Sequence, residues 1–132
     1  AIGSNLMFGE AGNDHFYFPT NGGYDYLWGG DGTDLFSLAG AKPGPARWIM
    51  DFNTAAPGSG GDVIEVASLD ALLASTAFNG VNAIDAVNPY LPTGTEYLRI
   101  QASATSASAL FVVGVGLDLD TLISQGNIVQ VA

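Results

Sequence analysis

The chain of 132 residues is 48% hydrophobic and 12% charged, which suits one folded domain with a real core rather than a disordered segment. Asp and Glu number 13 against 3 Lys and Arg (Lys42, Arg47 and Arg99), and the net charge of −10 argues against a nucleic-acid or anionic-membrane partner, which needs clustered cations. The lack of cysteine excludes a disulfide framework and a thiolate metal site, the single His15 excludes a His-rich zinc site, and no apolar run is long enough to span a bilayer.

Glycine crowds the first half, with 13 of the 18 glycines in residues 1–62. There the sequence repeats. Asn5, Asp14, Asp25 and Asp34 follow one another at spacings of 9, 11 and 9. Two residues before each stands a glycine (Gly3, Gly12, Gly23, Gly32), and two residues after each a large apolar side chain (Met7, Phe16, Leu27, Phe36). The cleanest unit is Gly29-Gly30-Asp31-Gly32-Thr33-Asp34-Leu35-Phe36-Ser37, and Gly9 to Tyr17 is the next. Thr20 to Trp28 follows an insertion, Phe18-Pro19. The first copy begins inside a unit, without an initiator Met or a classical signal peptide, so the chain is expected to be cut from a longer array. Six residues of each unit predict a tight glycine-dependent turn and three a short strand. Strand alternation then points the eighth residue inward and its two neighbours outward.

Beyond the repeats, Gly40 to Pro45 reads as a connector, Trp48 to Phe52 as an apolar stretch and Pro57 to Gly61 as a second flexible segment. Asp62 to Val66 alternates like a strand. Ser68 to Phe78 predicts a short helix capped by Ser68, with Leu69, Leu72 and Leu73 on one face. Residues 81–90 carry no clear pattern, and Asn88-Pro89 closes them. Tyr97 to Gln101, Ala109 to Val115 and Ile128 to Val131 predict strands, and Asp118 to Ser124 predicts one helical turn capped by Asp120.

The unit Gly-Gly-x-Gly-x-Asp-x-(large apolar)-x resembles the calcium-binding nonapeptide of the RTX (repeats-in-toxin) family, bacterial proteins exported by type I secretion. Each loop alone would also fit a turn in an ordinary antiparallel sheet. The shared period, aspartate and inward apolar residue in successive units do not fit that alternative. The resemblance implies an all-β fold: a short parallel β-roll over residues 1–37 and a strand-rich C-terminal cap over residues 38–132 with one or two short helices, packed together as one domain. Two units make one coil, so alternate loops stack, pairing Asn5 with Asp25 and Asp14 with Asp34. Carboxylates at the spacing of neighbouring strands, about 4.7–4.9 Å, repel unless a cation lies between them. Carboxylate and carbonyl oxygens in a flexible cage suit Ca²⁺ better than Mg²⁺. The expected calcium ligands are Asn5, Asp14, Asp25 and Asp34, with the loop positions Gly3, Gly9, Gly12, Gly23, Gly30 and Gly32. Asp51 and Asp62 are expected to cap the last coil and complete further sites. The Asp14–Asp34 pair is expected to bind more strongly, because Asn5 offers only a neutral oxygen.

The resemblance extends past the repeats. Asp51-Phe52 and Gly61-Asp62-Val63-Ile64-Glu65-Val66 are similar to the stretch that follows the last repeat in serralysin-type proteases and in mannuronan epimerase modules, and Gly126-Asn127-Ile128-Val129 is similar to their terminal strand. That region implies an uncleaved C-terminal export signal. The chain departs from the pattern at Glu10, at Thr20-Asn21 and in the long interval from Asp51 to Asp62.

His15 reads as an outward strand residue, and one of Asp118 and Asp120 as a helix cap rather than half of an acid–base pair. No nucleophile elbow, phosphate loop or zinc-protease motif is present, so no catalytic residue is expected. The outward residues Leu6, Phe8, Tyr26 and Trp28 form an apolar face that calls for cover, first by the chain's own second half, then by a second copy or a neighbouring domain. The expected function is a calcium-dependent folding and export module of a secreted, extracellular protein, with calcium ions and the type I secretion machinery as partners. The alternatives are a self-assembling structural or adhesive module, or the C-terminal part of a secreted enzyme.

Overall fold

The computed structural model describes residues 5–17, 24–37, 46–70, 72–81, 88–101 and 109–130. The chain alternates between two sheets through β1 (Asn5–Phe8), β2 (His15–Tyr17), β3 (Tyr24–Trp28), β4 (Leu35–Ser37), β5 (Ala46–Ile49) and β6 (Val63–Val66). Odd strands pair in parallel with odd strands, even with even. The chain then stays in the first sheet. β7 (Leu73–Phe78) and β8 (Glu96–Gln101) pair antiparallel, and β9 (Ala109–Val113) joins β8 antiparallel and β5 in parallel. Helix α1 (Leu119–Gln125) returns the chain to β10 (Ile128–Gln130), parallel to β6. The strand orders are β1-β3-β5-β9-β8-β7 and β10-β6-β4-β2.

The expected all-β class, a short β-roll followed by a strand-rich cap, is therefore corrected. The fold is mixed α/β, with one six-stranded sheet, one four-stranded parallel sheet and one short α-helix among the described residues. Strand pairing does not stop at Ser37: β5, which lacks the glycine signature, and β6, which keeps it as Gly60-Asp62-Ile64 after a 28-residue offset, extend both sheets, and an antiparallel edge follows. The predicted helix over Ser68 to Phe78 is also corrected. Leu73–Phe78 is a strand, because its backbone pairs along its whole length with β8, and such tertiary pairing overrides weak helical spacing. The cap of α1 is Asp118, not Asp120: the Asp118 carboxylate accepts from the Thr121 amide at 3.1 Å, while Asp120 lies in the first turn.

Register explains the core. Met7, Leu27, Ile49, Val112 and Leu98 form one cross-strand row. Phe16, Phe36, Ile64 and Ile128 form another in the second sheet. The two rows meet in one apolar cluster between the sheets, where Leu27, Phe36, Ile49 and Ile64 are fully buried. The outer face of the six-stranded sheet carries a second cluster of Tyr26, Trp48, Tyr97 and Phe111. Asn79 holds the segment over that face, donating from Nδ2 to the carbonyls of Asn88 and Leu91 and accepting the Asn88 amide on Oδ1 at 2.8 Å. The segment sets Tyr90 edge-on against Tyr26, with ring centroids 4.9 Å apart. Tyr26 is buried, whereas Leu6 and Phe8 stay 46% and 61% exposed, Phe8 stacking on Trp28 at 4.6 Å.

Phe36→Ala should cost about 3–5 kcal/mol by opening a cavity in the fully buried row. Phe8→Ser should cost less than about 1.5 kcal/mol, the worth of its ring stacking. Equal losses for the two in urea unfolding would contradict this reading of the core.

Candidate metal-binding loops

Three loops, 9–14, 29–34 and 50–62, carry the chain from the six-stranded sheet to the four-stranded one. The first two are built alike. Gly12 and Gly32 have φ of 105° and 96°, and Glu10 and Gly30 have φ of 66° and 79°. A β-carbon at Gly30 would collide with the Glu10 carbonyl, and one at Gly32 with the Gly12 carbonyl, so the loops stack backbone on backbone. Glu10 makes the same left-handed turn with a side chain, which costs about 1–2 kcal/mol. Gly9 and Gly29 serve otherwise. The Asp14 and Asp34 carboxylates fold back over them and fill the space that a β-carbon would need.

The aspartates form a ladder. The Asp14 amide donates to Asp34 Oδ1 at 2.9 Å, and the Asp34 amide donates to Asp62 Oδ1 at 2.9 Å. Asp62 Oδ2 accepts from the Asn53 amide at 2.8 Å. Asn127 closes this end, donating from Nδ2 to the carbonyls of Asp62 and Ala55. Asp51 lies beside the ladder and accepts the Gly29 and Gly30 amides, one on each oxygen, at 2.8 and 2.9 Å. Asn13 Oδ1 accepts the Thr33 amide at 2.8 Å and adds a second tie between the stacked loops.

The structure thus brings Asp14, Asp34 and Asp62 together, with Gly9, Gly12, Gly30 and Gly32 shaping the loops and Asp51 holding amides. Asn5 and Asp25 are direct partners across β1 and β3, but the next residue in that row is Arg47. Gly3 and Gly23 lie outside the described residues. Sequence reasoning missed Asn13, Asn53 and Asn127. The 20-residue offset that relates Asp14 to Asp34 would have placed Asn13 beside Thr33. His15 projects outward and lies 4.0 Å from Glu65.

Burial of so many carboxylates has an electrostatic consequence. Desolvation, and then the charges of Asp62, Asp14 and Asp51, push Asp34 up to about 6 from 3.8, against the amide hydrogen bond that lowers it. Desolvation also raises Asp62, and Asp51 adds to the rise. Asp14 Oδ2 and Asp34 Oδ2 are buried and accept no hydrogen bond from the described residues. A buried carboxylate oxygen without a donor is costly, and a cation is one way to satisfy it. Among the described residues no group of three or more His, Cys, Asp or Glu side chains converges on one point. A metal here would take Asp14 and Asp34 oxygens and complete its shell with loop carbonyls and water, an all-oxygen set suited to Ca²⁺. The free oxygens and the glycine-shaped loops fit such an ion.

No protein-family model matches the chain, and neither a curated protein nor a solved structure matches it.

Two predictions arise from the loops. Asp34 holds its proton up to about 6 in the folded state and loses it near 3.8 when unfolded, so the folded state binds more protons between those values. The metal-free fold should therefore lose stability as pH rises from about 4 to about 6 and level off above. Urea unfolding in calcium-depleted buffer across that range checks this, and Asp34→Asn should flatten the slope. Glu10→Gly should raise stability by about 1 kcal/mol by removing the left-handed side chain. A loss on the same unfolding assay would show that the Glu10 side chain stabilises the loop.

Proposed function

We propose that this chain is a calcium-dependent folding and export module of a secreted bacterial protein, with repeats of the RTX type. The observation that carries the reading is the pair of buried oxygens, Asp14 Oδ2 and Asp34 Oδ2, without hydrogen-bond partners at equivalent places in two stacked loops. Asp62 and Asp51 have both oxygens occupied by amides, so the proposed ion belongs between loops 9–14 and 29–34. In a calcium-poor cytosol the carboxylates repel, and the glycine-rich loops do not offset the entropy of ordering them. The first coil then stays open, which leaves the chain easier to unfold for the type I secretion machinery. Outside, sites of extracellular affinity, about 10⁻⁴–10⁻³ M, fill, and binding free energy becomes folding free energy.

The second reading is a self-assembling structural or adhesive module. It is favoured by Leu6 and Phe8, large apolar side chains exposed on β1 at the edge of the six-stranded sheet.

Calcium-depleted protein should lose the share of far-UV circular dichroism β signal that the first coil contributes, while the rest of the fold stays, and regain it with Ca²⁺ but not with Mg²⁺. A spectrum indifferent to calcium would refute the folding switch. Light scattering on the same samples separates the two readings: the mass stays that of one chain for the export module and grows with calcium for the assembling one.

A further inference from the structure

We propose that Arg47 is a built-in counter-ion that stands in for a metal in the Asn5–Asp25 row, so that calcium is confined to the Asp14–Asp34 loops. The second clause rests on the calcium reading; the first stands on the geometry alone. Asn5, Asp25 and Arg47 occupy one register row across the parallel strands β1, β3 and β5. Asp25 and Arg47 share strand parity with Leu27 and Ile49, which line the core between the sheets, so both charged side chains face inward. Each is only 2% exposed. The row continues into Leu110 and Ile100, so its charge ends with the pair.

The contrast with the other row is one of chemistry. Asp14, Asp34 and Asp62 succeed one another with no cationic side chain in the row, and two of their oxygens lack donors. In the Asp25 row the third position is a guanidinium, which stays charged and offers five donors, although its Nε and Nη1 find no acceptor among the described residues, so the contrast between the rows is one of charge and not of hydrogen bonding. Burial pushes the Arg47 pKa down, and the charge of Asp25 works against that shift. A cation carried by the chain is present at any calcium concentration, so this row is neutralised in metal-free conditions as well as in calcium. A buried pair of this kind has a recognisable behaviour: removing one partner strands the other charge, whereas replacing both with uncharged side chains is tolerated.

The test uses the full chain as wild type, Asp25→Asn, Asp25→Asn with Arg47→Met, and Asp34→Asn. Each is melted in calcium-depleted buffer and titrated with CaCl₂ by calorimetry. Asp25→Asn should lower Tm by an amount on the order of 10 °C, and the double variant should regain at least about half of that loss. Both should keep the calcium stoichiometry of wild type and an affinity within about twofold, while Asp34→Asn should lose about tenfold or more. If Asp25→Asn does not fold, recovery of a folded protein in the double variant supports the pairing. A double variant no more stable than the single one overturns it, as does loss of one bound calcium or about tenfold in affinity on Asp25→Asn. If wild type binds no calcium, the export reading fails by itself, and the melts still decide whether Arg47 neutralises Asp25.

Discussion

Parallel pairing of segments that repeat in sequence sets like beside like, and the rest of this structure works within that constraint. A 20-residue offset lays Met7 on Leu27 and Phe16 on Phe36. For apolar residues this is gain: the rings of Phe16 and Phe36 stack at 5.1 Å and the aliphatic rows close the core. The same offset lays Asp14 beside Asp34, and like charges directly opposite one another are destabilising. The apolar rows and the acidic rows cannot be chosen separately, because one register produces both.

The chain meets the cost with partial charges where no full charge is available. Asp34 and Asp62 each accept the amide of a neighbouring loop, and oriented amides lower a carboxylate's pKa as a cation does, though less. The compensation improves along the ladder. Asp62 has both oxygens bonded, and Asn127 ties its carbonyl to Ala55. Asp34 has Oδ1 bonded and Oδ2 without a donor. Burial without full compensation is why Asp34 is pushed up, with desolvation ahead of every neighbouring charge.

What the sequence disclosed follows the same logic. The short-range period placed β1 to β4, the inward rows and the Asp14–Asp34 contact, because a repeat of glycine, aspartate and one apolar residue fixes both turn and strand. Strands expected over 97–101, 109–115 and 128–131 were legible to within two residues of β8, β9 and β10 where the residues are described. The fold class was not, since β5 extends its sheet without the glycine signature, the matching Gly60-Asp62-Ile64 before β6 is displaced by a 28-residue offset, and the antiparallel β7 reads as a leucine-rich helix until its partner is known. Arg47 looks like an ordinary lone cation in sequence; its burial opposite Asp25 depends on a 22-residue offset that differs from the 20 of the repeats. Asn79 and Asn127 act through backbone carbonyls away from them in sequence, which no local pattern announces.

Burial also grades across the stack, and this bears on where a metal would matter most. Phe36 and Ile64 in the second and third even strands are fully buried, whereas Phe16 in the first is only partly so. Leu27 and Ile49 are fully buried, whereas Met7 is only partly so and its neighbours Leu6 and Phe8 are exposed. The first coil therefore gains least from apolar burial, roughly 25 cal/mol per Å². It also holds the strained Glu10 turn and the donorless Asp14 oxygen. Regions with little buried apolar area open at the lowest free energy. A ligand that binds only the folded form stabilises it by mass action, and its effect is most visible where folding is least favourable without it. Under the calcium reading, the ion between loops 9–14 and 29–34 joins this weak coil to the fully packed one. The apolar rows of β3 to β6 then hold the scaffold, while the first coil alone carries the metal dependence.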